Sequence, residues 1–189
     1  MRQVIILFAV MVVLSTAVIA QEGTTTLTGT VITYGSGFNT RTQTRTFTLR
    51  IKGVTSDAEA QRLVGVLQDR GQDKLLDAIR HNDLGTFSIG GNIGQTLNAV
   101  RIEDVGGKKR IRAVAERWLG FGELRGGYRS LDYPFSYIEL MIDPRTGKGE
   151  GTYFGAAQIK FKNNEIQIED FGTFPGRILN VMLRGRPLP

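Results

Sequence analysis

The chain has no cysteine among its 189 residues, and that absence removes several classes at once. A disulfide-stapled toxin or growth factor is excluded, and so is an anchor on a lipid-modified cysteine. Histidine is nearly absent too, since His81 stands alone. A zinc site of ordinary composition needs two or more nitrogen or sulfur ligands, so the sequence predicts no metal and no cofactor. Serine catalysis would have to use His81 as its base. That residue stands at a predicted helix end before Asn82 and Asp83, where a cationic imidazole complements the helix dipole, and no serine occupies a nucleophile elbow. No catalytic residue is assigned. Beyond the first twenty residues no apolar run is long enough to span a bilayer, and no repeat, low-complexity tract or linker divides the chain.

What is present begins with "MRQVIILFAVMVVLSTAVIAQEG": one Arg, an apolar run from Val4 to Leu14, then Ser15 and Thr16, with Val18 and Ala20 before Gln21. This reads as a signal peptide over residues 1–20, cleaved after Ala20; retention as an anchor is the alternative. The expectation is an exported protein, periplasmic or extracellular, with no stable membrane anchor once the signal is removed. Residues 21–189 are long enough to bury a core as one domain.

Basic residues outnumber acidic ones by 24 to 18, which suits an anionic polymer or acidic lipid heads. Most charges are spread singly through strand-like segments, however, and the only cluster is "KKRIR", Lys108 to Arg112. It follows Gly106 and Gly107 and reads as an exposed hairpin tip, with anion binding as the alternative. No basic segment is interleaved with aromatics, so nucleic acid is not the expected partner.

Periodicity supplies the organisation. "TTTLTGTVITYG" and "TRTQTRTFTLRIKG" read as an opening hairpin whose second strand overhangs the core. "SDAEAQRLVGVLQDRG" then shifts to a helical period, with Ser56 and Glu59 as a capping box, a stripe of Ala60, Leu63, Val64 and Leu67, and Gly71 as its close. A shorter helix over "QDKLLDAIRHND" turns Leu75, Leu76 and Ile79 inward. Strands follow to the end, including "SYIELMID" and "GTYFGAAQIKFK", in which Tyr153, Ala157, Ile159 and Phe161 share one parity. Between these two, "IDPRTGKGEGTYFG" places a lysine among glycines without the strand, loop and helix order of a phosphate cradle. Asp143, Pro144 and Gly147 make it a hairpin turn. The predicted class is α+β, mostly antiparallel β, a barrel or sandwich-like sheet with an inserted pair of helices over about residues 56–81.

The succession of "SDAEAQRLVGVLQDRGQDKLLDAI", "GFGEL", "DYPFSYIELMID", "GKGEG" and "IQIEDFG" with "PGRILNV" resembles a group of secreted bacterial proteins of unknown function. The resemblance covers most of the chain after the leader. It implies secretion and a single β-rich domain, and it brings no activity, ligand or site residue.

Two kinds of site remain. Glu103, Asp104, Glu116, Glu123, Asp132, Glu139, Glu169 and Asp170 supply carboxylates, and glycoside hydrolysis needs two of them about 5 to 10 Å apart. Neighbours on a strand point to opposite faces, so neither adjacent pair serves alone, and surface pairing with arginine is the plainer reading. The other is the glycine-rich connection "ERWLGFGELRGGYRSLDYPF". It gathers Trp118 and Tyr128 with Arg117, Arg125 and Arg129, a composition suited to an anionic or carbohydrate-like ligand; alternatively its aromatics cover one end of the core. The functional expectation is a non-enzymatic binding or interaction domain. An envelope hydrolase using paired carboxylates, or a barrel holding a small apolar ligand, are the alternatives.

Overall fold

Thr and β-branched residues at alternating positions make Thr25–Thr33 (β1) and Gln43–Ile51 (β2) extended, and the two pair antiparallel from Thr25 against Ile51 to Thr33 against Gln43. The computed structural model describes residues 23–34, 41–118, 129–171 and 174–188. The predicted signal, Glu123, Arg125 and Tyr128 lie outside the described residues. Seven further strands follow: β3 (Gly85–Ile89), β4 (Gln95–Val105), β5 (Lys108–Glu116), β6 (Phe135–Ile142), β7 (Lys148–Lys162), β8 (Glu165–Asp170) and β9 (Gly176–Gly185).

Strands β1 to β6 form a meander, β9 lies between β7 and β1, and pairing of β6 with β7 closes the circle. The result is a closed antiparallel barrel of eight strands rather than a sandwich. β8 stays outside it, paired with the second half of the long β7. Leu27, Phe47, Leu49, Ile111, Leu140 and Ile178 are among the side chains that fill the barrel, each contributing about 2 kcal/mol by burial. As expected, β2 is exposed at its start and buried at Phe47, Leu49 and Ile51.

The inserted helical segment differs from the predicted pair. It is one element, α1 (Asp57–Ile79), kinked where Gly71 takes φ 77 and ψ −177. That dihedral is not helical, so two helical stretches, each with its own apolar residues buried on the same surface, meet there at a kink. Leu63, Leu67, Leu75 and Ile79 pack on the outside of the barrel against Phe135, Tyr137, Ala157 and Ile159, forming a second core. Gln72 Oε1 also accepts from Ile159 N at 3.4 Å, where β7 runs past the end of its β6 partner.

Three register shifts shape the barrel. Leu97 pairs with Ala115 and Ala99 with Val114, which makes Asn98 the extra residue of a bulge and lets Leu97 and Val100 both face inward. A bulge at Asn180, φ 53, does the same for Ile178 and Val181 in β9. In β7 the extra residue falls between Phe154 and Ala157. Consequently Tyr153 packs inside the barrel while Ala157 and Ile159 lie under α1, and the single face predicted from their shared parity is split between two cores.

The glycine-lysine loop is the predicted turn. Asp143 N donates to Lys148 O at 2.8 Å, Gly147 N to Asp143 O at 2.8 Å and Arg145 N to Asp143 Oδ1 at 2.8 Å. "KKRIR", by contrast, is not a tip: only Gly106 and Gly107 turn, and Lys108 to Arg112 run along β5 with Arg110 opposite Glu103 and Lys109 opposite Asp104. Among the described residues no helix is long and apolar enough to cross a membrane.

Candidate functional site

α1 is tied to the sheet at both ends. Ahead of it, Thr55 N donates to Val100 O at 2.7 Å while Thr55 Oγ1 accepts from Val100 N at 3.0 Å. Ser56 caps the helix by accepting from Glu59 N at 3.2 Å; the Glu59 carboxylate turns instead to Arg62, at 2.7 Å, so only half of the predicted capping box forms. Arg101 ties the first turn to β4, reaching Asp57 at 2.7 Å and Thr55 O at 3.0 Å.

Along the seam where α1 packs on the barrel, a cleft of about 550 Å³ remains. Ala60, Leu63, Val64 and Leu67 form one wall, and Val114, Tyr137, Ile159 and Ile168 form the floor. The predicted helical stripe therefore lines a concavity as well as a core. At its mouth Glu103 accepts from Arg110 at 2.7 Å and from Arg112 at 2.6 Å, with Arg101 3.9 Å away. Tyr137 donates to Glu139 at 2.8 Å, and burial followed by that hydrogen bond raises its phenol well above the ordinary value.

The hydrogen bond from Arg110, reinforced by Arg112, holds the Glu103 carboxyl below its usual value. A folded value below the unfolded one means this contribution is present above the ordinary carboxylate range and is lost as pH falls through the folded value. Glu103→Gln is expected to lower stability by about 1 kcal/mol near neutrality and to flatten the loss on the acid side. Urea unfolding of both proteins at about pH 7 and below about pH 4 measures the difference.

A second, polar concavity of about 700 Å³ opens beside the far end of α1. Arg80, His81, Asn82 and Asp83 contribute to it from the helix end, Thr96 and Asn98 from β4, and Glu116, Arg117 and Trp118 from the end of β5. Asn98 organises this corner. Only 2% exposed, it donates to Arg80 O at 3.2 Å and Asn82 O at 3.1 Å, and its Oδ1 accepts from Glu116 N at 2.7 Å.

Of the residues predicted from the aromatic and arginine connection, Trp118 is 59% exposed and lines this second cleft, so it does not cover the core. Arg117 lines it as well, with Nε donating to Tyr133 O at 2.9 Å and Nη2 to Ser130 O at 2.7 Å. It thereby holds the short 3₁₀ turn Arg129–Asp132, which Arg129 opens. Tyr128 and Arg125, and the Arg129 side chain, are outside what the structure describes; of the five, the described side chains of Trp118 and Arg117 line one cleft. Several of the predicted carboxylates have partners: Glu116 lies 3.4 Å from Arg80, Asp104 3.1 Å from Lys109, and Glu169 accepts from Tyr133 at 2.8 Å and Lys160 at 3.0 Å.

Sequence reasoning missed the cleft under α1, although "FSYIELMI" carried a signal. Phe135 and Tyr137 alternate with Ile138, Leu140 and Ile142 on the opposite parity, and a strand apolar on both faces is covered on both. Comparison with known proteins returns no match: no family model fits the chain, and no curated protein or solved structure is significantly similar to it.

Proposed function

We propose that this protein is a non-enzymatic binding domain that takes a small apolar molecule in the cleft between α1 and the outer wall of the barrel. One observation carries the reading: the barrel interior is filled, while an apolar concavity of about 550 Å³ persists beside it. Pockets that bind small molecules have this composition, an apolar lining with a few placed polar groups. Here those groups are Arg101, Glu103 and Arg112 at the mouth, where the polar end of the ligand would lie. The apolar-ligand alternative raised by the sequence thus moves from inside a barrel to outside one. Export, expected from the leader, fits the same reading, because apolar molecules outside the cytoplasm need a carrier across water. Mass measurement of the exported form tests cleavage after Ala20.

Ala60 and Val64 both line the cleft and are only half-buried, so enlarging them fills space with little effect on the core. Ala60→Phe, and independently Val64→Phe, should weaken binding of an environment-sensitive apolar dye by about tenfold or more, roughly 1.4 kcal/mol. Long-chain fatty acids and isoprenoid alcohols should displace the dye from the unmodified protein. Dye affinity unchanged in both variants would remove the cleft as the site.

A further inference from the structure

The polar cleft at the far end of α1 is separate in character from the apolar one. Its distinguishing feature is Trp118, the sole tryptophan of the chain, left 59% exposed in a concavity rather than packed. A large ring surrounded by polar side chains presents an apolar face to whatever enters, and that combination is informative where a lone exposed Leu is not.

The charges around it are already matched. Arg80 lies 3.4 Å from Glu116 and 3.8 Å from Asp77, and Asp83 accepts from Lys52 at 2.8 Å and from Gly85 N at 3.1 Å. Arg117 is engaged with two backbone carbonyls. With Arg80 and Arg117 set against Asp83 and Glu116, these groups carry no excess of positive charge for an anion. What the walls do offer is remaining acceptor capacity: Glu116 meets Arg80 through one carboxylate oxygen, the Asp83 oxygens each take one hydrogen bond of the two they can accept, and Asn82, whose Nδ2 donates to Asn98 O at 3.2 Å, keeps its amide oxygen. The floor beneath them is rigid, since Asn98 joins the helix end to both β4 and β5.

A ring with one apolar C–H face and a rim of hydroxyls satisfies both features together. We propose that this cleft is a binding subsite for a neutral saccharide, with Trp118 as the stacking platform and the side chains of Asn82, Asp83 and Glu116 receiving the hydroxyls. An acidic saccharide fits less well, because its carboxylate would meet Asp83 and Glu116 while Arg80 and Arg117 are already engaged. This inference is independent of the apolar site, which Trp118 does not line.

The sole tryptophan reports on the subsite directly. The purified protein is titrated with neutral oligosaccharides (β-1,4-linked glucose, β-1,4-linked N-acetylglucosamine and α-1,4-linked glucose oligomers) and with oligogalacturonate, by fluorescence and by calorimetry. At least one neutral series should shift the emission to the blue and saturate. Trp118→Ala should abolish the calorimetric signal with an unchanged melting midpoint, and Trp118→Phe should retain part of the affinity. The proposal is overturned if no neutral series binds, if only oligogalacturonate binds, or if Trp118→Ala binds as the unmodified protein does. Fatty acids should leave the emission unchanged, so failure here and failure of the apolar site are read separately.

Discussion

Gly151→Ala is expected to destabilise the protein by about 3 kcal/mol, lowering the melting midpoint by roughly 6 to 12 °C. Gly151 lies where β7 is paired on both edges at once, opposite Leu140 of β6 and Ile178 of β9. A Cβ there would enter the carbonyl oxygen of Glu139 and lie 2.7 Å from Leu140 Cδ2. The Leu140 side chain has rotamers with which to yield, but the carbonyl does not, because Glu139 is held between Arg112 of β5 and Thr152 of β7. Space rather than a left-handed backbone imposes this glycine. Gly149 is under the same constraint, its Cβ directed at the Met141 carbonyl and 3.1 Å from Ile142 Cα. These are the glycines flanking Glu150 in "GKGEG", so the motif that resembles a phosphate loop is instead the seam at which the barrel closes. Lys148→Ala, at an exposed side chain beside them, should change stability by less than about 0.5 kcal/mol. Thermal and urea unfolding followed by circular dichroism decide the matter, and a Gly151→Ala protein as stable as its parent would refute the closure argument.

Asn98→Ala is expected to cost about 2 to 3 kcal/mol, since it removes three part-buried hydrogen bonds of one buried side chain at once. The lost partners are Arg80 O and Asn82 O at the end of α1 and Glu116 N at the end of β5. To the extent that the surrounding fold keeps water from these groups, each costs more unpaired than the hydrogen bond contributes when made. Asn98→Asp separates the two halves of the arrangement. It keeps an acceptor for Glu116 N but sets a second oxygen against two carbonyls, so near neutral pH it should be at least as destabilised as the alanine variant. Hydrogen exchange should place the damage at residues 80–82 and at Glu116, with β1 and β2 unaffected. Uniform weakening across the barrel, or a melting midpoint within about 2 °C of the parent, would contradict this role for Asn98.

Several elements are legible in the residues alone. The Thr-rich β1–β2 hairpin, the helical stripe of Leu63 and Leu67, and the Asp143–Gly147 turn all rest on interactions between residues close in sequence, so local pattern carries them. Trp118 is likewise a candidate from composition. Its neighbours in the cleft, Arg80 to Asp83 and Asn98, are not, because they come from the helix end and β4, more than one strand away along the chain.

The sequence by itself determined the strand and helix content, the mostly antiparallel class and the turn chemistry, because propensity, hydrophobic period and glycine or proline placement act over a few residues. The tertiary structure alone decided that the sheet closes as a barrel, that α1 is one kinked helix laid on its outside, and that Tyr153 and Ala157 belong to different cores. The physical reason lies in the bulges at Asn98, in β7 and at Asn180. One extra residue opposite a partner strand inverts which parity faces inward, and whether it is accommodated depends on a neighbour brought up by the fold rather than on the residues beside it.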